Sequence, residues 1–326
     1  MNRRRIMLVG ATCALAVSAV AASLTDAVAA PAAAPSFCSG AGSIVATDLA
    51  APINLQNCPI QGRLVVRSIG TAQMGVLVPA AGESVTETTL TTSGDYQLSV
   101  VNSNGQLAAT TSSPSTQAEG PASAAVSPAA DPACSQTSWS PLGYTWKATV
   151  KWYFNESTAT SRAGLNGADA TTAIRAGNTN MTTGVNNCGL PTGSFSAHGA
   201  YQGTTSKFAN INSAGSCLTR DSQNTVSFGP FNNTSTLAVT CDWYSGATIL
   251  ETDTYFGSNV GLVTSCPSSG AKYDLETVAT HEWGHSYGLD HATDVDEVMY
   301  PTVMPCPSVR RHLGLGDWNG MDALYP

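Results

Sequence analysis

Three histidines and one glutamate lie together in residues 281–291, which read His-Glu-Trp-Gly-His-Ser-Tyr-Gly-Leu-Asp-His. His281 and His285 are four positions apart, so they share one face if the segment is helical. Two imidazoles placed in this way can bind one zinc ion. Glu282 follows the first histidine, where a general base for a zinc-activated water is expected. The spacing therefore predicts a zinc site with hydrolytic chemistry.

A third ligand, His291, sets a condition on the chain between the second and third histidines. A helix continued to residue 291 would carry this side chain about 9 Å along the axis and away from the metal. The helix must therefore end before His291, and Gly288 can end it because glycine readily adopts a positive φ. At the other end, Asp274 is expected to cap the helix N-terminus.

The length of the pattern decides between a chance match and a metal site. A lone H-E-x-x-H occurs by chance in many unrelated helices. The longer form H-E-x-x-H-x-x-G-x-x-H fixes five positions, and here it uses three of the five histidines in the chain. We therefore predict one catalytic zinc, with His281, His285 and His291 as ligands.

The sequence around these residues resembles the metzincin signature and, within it, the matrixin family of zinc endopeptidases. Residues 273–280 resemble the matrixin lead-in to the active-site helix, and residues 313–326 resemble its closing helix. Residues 298–301 resemble the Met-turn, with Met299 eight residues after His291. The alternative for Met299 is an ordinary core methionine. The resemblance covers about residues 145–326 and is specific from residue 272 onward.

The resemblance implies an α+β fold: a twisted, mixed five-stranded sheet with an active-site helix and a C-terminal helix. It also implies a metalloendopeptidase that acts on protein or peptide substrates, with Glu282 as the catalytic residue and Met299 as a structural base beneath the metal. The rival hypothesis is an extracellular binding or adhesion protein that keeps zinc as a structural element. The intact Glu282 argues against this rival, because a structural site needs no base.

The sequence departs from the family in its latency segment. Many matrixins carry a P-R-C-G-x-P-D motif whose cysteine binds the zinc. Beyond the first 29 residues, Cys38, Cys58 and Cys134 are the cysteines that precede the predicted protease domain or begin it, and none has such surroundings. Inhibition by a thiolate is therefore not expected.

The first 29 residues have the features of a signal peptide. Three arginines at residues 3–5 precede an apolar stretch at residues 6–22, and residues 27–29 form an A-x-A cleavage site. The alternative is a transmembrane anchor. Removal of residues 1–29 leaves eight cysteines, an even number that suits disulfides in an exported protein. We predict a secreted, extracellular protein, and the Ala-rich leader and low lysine content favour a bacterial exporter.

The mature chain is predicted to have two domains. Residues 109–133 are rich in Pro, Ala and Ser and are interpreted as a linker. Residues 30–108 alternate in short runs typical of hairpins, which predicts a small all-β domain with a Cys38–Cys58 bridge. Residues 134–326 form the zinc peptidase domain. The N-terminal domain could be a propeptide, making the protein a zymogen, or an accessory binding module, and no catalytic constellation is evident in it.

The charge balance limits the partners. The formal net charge is −8, so the chain lacks the basic excess needed to bind nucleic acid. No membrane association is expected after signal cleavage, and we expect a monomer.

Other acidic residues receive weaker predictions. Asp290, Asp294, Asp296 and Glu297 could bind calcium, but their spacing is not that of an EF-hand, and a solvated surface is preferred. Glu251 and Asp253 are expected to face water, and Asp317 is expected to cap a closing helix over residues 317–324.

Overall fold

The computed structural model describes residues 34–114, 131–268 and 270–326. The predicted signal peptide and residues 115–130 of the predicted linker lie outside the described residues. The described chain from Pro35 to Pro326 clusters as one compact unit. None of the described helices combines the length and apolar character needed to cross a bilayer.

Short strands dominate the N-terminal region. They are β1 (Ile44–Val45), β2 (Ile53–Asn54), β3 (Leu64–Ile69), β4 (Ala72–Leu77), β5 (Ser84–Thr91), β6 (Gly94–Ser103) and β7 (Gln106–Ser112). The hairpin pattern read from the sequence is thus present. Strand β7 runs to Ser112, so pairing continues four residues into the predicted linker.

Strands and helices alternate in the C-terminal region. The strands are β8 (Ser140–Pro141), β9 (Val150–Phe154), β10 (Gly199–Thr204), β11 (Asn224–Gly229), β12 (Thr236–Ser245), β13 (Thr248–Gly257), β14 (Leu262–Val263), β15 (Tyr273–Asp274) and β16 (Leu289–Asp290). The helices are α1 (Glu156–Thr158), α2 (Gly167–Thr183), α3 (Leu275–Ser286) and α4 (Leu315–Leu324).

One mixed sheet connects the two regions. Within the described residues it has nine strands, in the order β10-β9-β11-β13-β12-β5-β6-β7-β2. The first four are mutually parallel, and β12 runs antiparallel to both β13 and β5. The predicted α+β class with a mixed sheet is confirmed. The sheet is larger than the predicted five strands because four strands of the N-terminal region add to the β12 edge.

A separate hydrophobic core packs against each face of the nine-stranded sheet. On one face, α2 and α3 pack on the sheet, with Trp152, Phe228 and Trp283 among the buried side chains. The second core joins residues of the N-terminal region, such as Met74, to β12 residues such as Trp243. The burial of Trp283 agrees with the prediction that it packs in the core.

Four disulfides link segments of the described chain, and one of them reaches into strand β12 at Cys241. In the described residues they join Cys38 to Cys58, Cys134 to Cys188, Cys217 to Cys241 and Cys266 to Cys306. The predicted Cys38–Cys58 bridge is confirmed, and the other three lie within the C-terminal region. All eight sulfurs are bonded, so no thiolate among them is available to bind a metal.

The closing helix differs from the prediction at its start. Helix α4 begins at Leu315 with Gly314 at the N-cap position, so Asp317 lies in the first turn instead of at the cap. Its carboxylate still serves the helix end, because Gly314 N–H donates to Asp317 Oδ2 at 3.0 Å. An aspartate can accept from the free N–H groups of the first turn either from the N-cap position or from within that turn. The sequence alone therefore does not show which residue begins the helix.

Candidate metal centre

Helix α3 begins and ends as the sequence predicts. Thr277 N–H donates to the Asp274 carboxylate at 2.9 Å, which caps the first turn. The same carboxylate accepts from the Arg311 guanidinium at 2.6 and 2.9 Å. At the other end, Gly288 has φ +91°, and the chain turns there to bring His291 back toward the helix. The helix therefore presents two histidines, and the turn after it presents the third.

Backbone carbonyls orient the two helical imidazoles. His281 Nδ1 lies 2.8 Å from the carbonyl oxygen of Val298, and His285 Nδ1 lies 2.9 Å from that of Leu289. A carbonyl can only accept, so each Nδ1 carries a proton, which leaves Nε2 as the nitrogen that can bind a metal. This arrangement is typical of metal-binding histidines, whose second nitrogen donates to a neighbouring oxygen.

The three imidazoles converge on a carboxylate from the N-terminal region. Asp95 Oδ2 lies 2.8 Å from His281 Nε2, 3.0 Å from His285 Nε2 and 2.9 Å from His291 Nε2. The four ligand atoms all lie within 4.8 Å of one another. The sequence analysis assigns no role to Asp95, which stands in a Ser-Gly-Asp segment between two predicted strands. No local signal separates it from other turn aspartates, because its nearest histidine partner lies 186 residues away in the chain.

The four converging side-chain atoms of Asp95, His281, His285 and His291 fit a bound zinc ion better than a network of hydrogen bonds. His281 Nε2 and His285 Nε2 are 3.1 Å apart and both face the same carboxylate oxygen. Although His291 Nε2 lies 2.9 Å from Asp95 Oδ2, it forms no well-aligned hydrogen bond with any described residue, and Asp95 Oδ1 is buried without a partner in the same part of the chain. Three imidazole nitrogens that converge on one buried carboxylate oxygen are better satisfied by a shared cation than by that single acceptor. Three imidazole nitrogens and one carboxylate oxygen are a ligand set that zinc accepts.

Glu282 lies next to this group and is also buried. Its side chain is 1% exposed, and its Oε2 accepts a 2.6 Å hydrogen bond from Thr240 Oγ1 on β12. Burial and the negative charge of Asp95 raise the pKa of Glu282 to about 8. Its second oxygen, Oε1, has no hydrogen-bond partner among the residues that the structure describes. A carboxylate with one oxygen anchored and the other unpaired beside the metal ligands can accept and return a proton.

Met299 packs against helix α3 at Gly284, between His281 and His285. It is 1% exposed, and its Sδ approaches Gly284 so closely that a Cβ at that position would overlap it. The turn that carries Met299 is held by Asp317, whose carboxylate accepts from Val298 N–H at 2.7 Å and Met299 N–H at 3.1 Å. The sequence did not reveal this role of Gly284, because the contact depends on how the turn packs against the helix.

The acidic residues after the third histidine contact protein donors. Asp294 accepts from the backbone of Thr137 and Ser138, and Gln136 donates to Asp296. Glu297 is fully buried, against the prediction of a solvated acidic surface. Its carboxylate accepts from the first turn of α4, and burial next to Asp317 raises its pKa to about 9.

Glu251 and Asp253 are also buried, so the prediction that they face water is wrong. Asp253 accepts from the backbone N–H groups of Asn210 and Thr225, and Glu251 accepts from those of Asp221 and Ser222. Burial raises the pKa of both carboxyls. Long loops after β10 fold over this face of β13, and the alternation of the strand could not show that.

Comparison with known proteins agrees with the geometry. The family model described as Matrixin matches residues 202–326. Metalloendoproteinase 1 of Glycine max is 39% identical over 75 residues, which is 23% of this chain and 24% of the relative. Matrilysin of Felis catus is 50% identical over 56 residues, which is 17% of this chain and 21% of the relative. The chain thus spans about a quarter or less of the length of these relatives. These matches support a matrixin-like zinc metalloprotease in the C-terminal part of the chain.

Proposed function

We propose that this protein is a secreted zinc-dependent endopeptidase that hydrolyses peptide bonds in protein or peptide substrates. The observation that carries the proposal is the convergence of three imidazole Nε2 atoms next to Glu282, in the segment that matches Matrixin. The four disulfides of the described chain suit an oxidising, extracellular location. We propose a monomer with residues 1–29 as signal peptide, 30–108 as N-terminal domain, 109–133 as linker and 134–326 as peptidase domain.

Each residue of the site has a separate task. His281, His285 and His291 hold the metal, and a bound zinc would supply Lewis acidity that polarises a carbonyl and activates water. Glu282 takes the proton of the attacking water and then delivers it to the leaving amine. Thr240 fixes one oxygen of Glu282, so that the other faces the reaction. Met299 supports the helix below the ligands and touches no substrate.

Substitution of the general base tests this function. The full chain is loaded with zinc and nicked in the alanine-rich linker with a trace of elastase, because residues 109–133 hold no lysine or arginine. The elastase is then blocked with a serine-protease inhibitor, and the nicked chain is assayed on casein. We expect Glu282→Ala to lower activity by about 10² to 10⁴-fold while the zinc content stays unchanged, because only the proton transfer is lost. A chelator should silence the wild type. Glu276→Gln is the matched control, since Glu276 lies on the same helix but binds Arg311 instead of the metal group. Casein hydrolysis by Glu282→Ala at the wild-type rate would exclude this mechanism.

One observation favours a second candidate, an extracellular binding protein with a structural zinc. Structural zinc sites have four protein ligands, whereas catalytic sites keep one position open. Asp95 offers a fourth ligand here. This candidate predicts full zinc occupancy with no hydrolysis of casein, before or after nicking or after replacement of Asp95.

A further inference from the structure

The site is closed to substrate. His281 and His285 are fully buried, Glu282 is 1% exposed, and the side chain of His291 is 14% exposed. A peptide must place its carbonyl within contact distance of both the metal and the base. Within the described residues, the tip of the β5–β6 hairpin covers the histidines, because Asp95 contacts all three of them.

The β5–β6 hairpin pairs with β12, which would be the edge strand of the sheet without it. Strand β5 pairs antiparallel with β12 along almost its whole length, with Thr88 opposite Thr240 and Thr91 opposite Thr236. Thr92 N–H continues the ladder by donating to the carbonyl of Ser235 at 2.8 Å. Extended peptides bind proteins by this kind of strand addition. The β12 residue opposite Thr88 is the one that anchors Glu282, so the hairpin occupies the edge beside the catalytic base.

The register of the hairpin aims Asp95 at the metal group. Asp95 is paired with Leu90, so both side chains lie on one face of the sheet. Leu90 is fully buried in the core that contains α3. Glu87, an odd number of residues away on β5, points to the other face, where Gly75 N–H donates to it at 2.6 Å. Two buried carboxylates of one hairpin thus face opposite cores, and only Asp95 meets the histidines.

We propose that Asp95 is the fourth ligand of the zinc and that the β5–β6 hairpin keeps the enzyme latent. The carboxylate fills the coordination position that catalysis needs open, and β5 fills the edge of β12. The inference rests on the proposed function and deepens it, since it assigns the N-terminal region an inhibitory role. It also supplies a latency ligand in a chain whose described cysteines are all bonded to one another.

Cobalt replaces zinc in the test, because its visible spectrum reports coordination without any turnover. The full chain and its variants are loaded with Co²⁺ and titrated with azide, a small anion that binds only at an open position. We expect wild type to show little change and Asp95→Asn to bind azide at least about tenfold more tightly, because the open fraction limits the apparent affinity.

Two controls separate coordination from general loosening of the fold. Glu87→Gln alters the other buried carboxylate of the hairpin and should leave the azide titration like that of wild type. Asp48→Asn alters an exposed acid of the same region and should do the same. Equal azide affinity in wild type and Asp95→Asn would overturn the proposal, as would an equal gain in Glu87→Gln.

A second variant keeps the test decisive if Asp95→Asn fails to fold. Asp95→Cys places a thiol at the same position, and a thiolate on Co²⁺ produces an intense near-ultraviolet charge-transfer band. We expect this band in Asp95→Cys and not in Glu87→Cys. Its absence from a folded, cobalt-loaded Asp95→Cys would overturn the proposal.

The inference and the proposed function fail in different ways. The double variant Asp95→Asn/Glu282→Gln should bind azide like Asp95→Asn but leave casein intact. If Asp95→Asn binds azide but fails to hydrolyse casein even after nicking, Asp95 is the fourth ligand but the endopeptidase assignment is wrong. The opposite outcome is cobalt binding with the same azide affinity in wild type and Asp95→Asn, together with casein hydrolysis by nicked wild type. That outcome would support the endopeptidase and exclude Asp95 as the latency ligand.

Discussion

At the scale of single residues, the metal group depends on groups that hold the ligands as much as on the ligands. The carbonyls of Val298 and Leu289 fix the proton positions of His281 and His285. Below them, Gly284 allows Met299 to approach the helix. A glycine inside a helix costs about 1 kcal/mol relative to alanine, so its presence here indicates that space is the stronger requirement.

Gly284→Ala should therefore destabilise the protein despite the better helix propensity of alanine. We expect a loss of about 1–3 kcal/mol in the free energy of unfolding, because the new methyl group overlaps Met299. The measurement is denaturant unfolding of the zinc-loaded chain. Gly42→Ala is the control, since nothing lies within 4 Å of a Cβ there. In a double-mutant cycle, Met299→Ala should relieve part of the cost, and simple additivity of the two losses would contradict this explanation.

At the scale of elements, the position of α3 is set by its packing on α2 and by its caps. The two helices meet at Gly177, where a Cβ would lie 2.8 Å from Thr280 N and 2.9 Å from the Ala279 carbonyl carbon. Both atoms belong to the backbone and cannot turn away. Asn180 adds a hydrogen bond to the Thr280 hydroxyl at 3.3 Å. Close backbone contact with α2 thus sets the position of α3, which carries two of the proposed metal ligands.

Gly177→Ala should separate α2 from α3 and disturb the site indirectly. We expect destabilisation of at least about 2 kcal/mol and weaker zinc binding, since His281 follows the displaced backbone. Competition with a chromogenic chelator measures the zinc affinity, and thermal unfolding measures stability. Thr172→Ala on the exposed side of α2 should stay within about 0.5 kcal/mol of wild type. Unchanged zinc affinity in a destabilised Gly177→Ala would show that the helix contact does not position the ligands.

At the scale of the whole molecule, two regions of the chain share one sheet and one core. Asp242 on β12 is buried by this pairing, because it lies opposite Thr86 of β5. Its side chain is 1% exposed, and the hydroxyl of Tyr144 donates to it at 3.3 Å. Burial raises its pKa to about 7, against hydrogen bonds that lower it. In the unfolded chain this carboxyl would titrate near its usual value of 3.8. Between these two values the folded state holds a proton that the unfolded state has released.

This difference predicts that the contribution of Asp242 to stability falls as pH rises from about 4 to 7. A raised folded-state pKa favours the protonated form, so stability is greatest below the unfolded pKa and is lost through the folded pKa. Asp242→Asn should therefore be more stable than wild type at pH 8, by up to about 4 kcal/mol. The gap should shrink by roughly 2 kcal/mol at pH 5.

The comparison uses metal-free protein, so that proton binding by the histidines is common to both chains and cancels. Asp48→Asn, at the surface, should show no such gap at either pH. A gap between Asp242→Asn and wild type that stays constant from pH 5 to pH 8 would mean that Asp242 is already ionised in the folded protein.

The sequence by itself determined the chemistry of the site. The spacing of His281, Glu282, His285 and Gly288 is local, and a helix with a glycine end converts it directly into shared positions in space. The cap at Asp274 and the α+β class followed from the same kind of short-range pattern. The Cys38–Cys58 bridge was predictable because the linker leaves two cysteines before it.

Only the tertiary structure decided which distant residues meet the site. Asp95 reaches the histidines because β5 pairs with β12 in one register, and a shift of one residue would turn its side chain to the other core. The burial of Glu251, Asp253 and Glu297 likewise depends on loops and helix ends far away in sequence. Strand pairing and packing depend on contacts across the whole chain, so they cannot be read from the spacing of neighbouring residues.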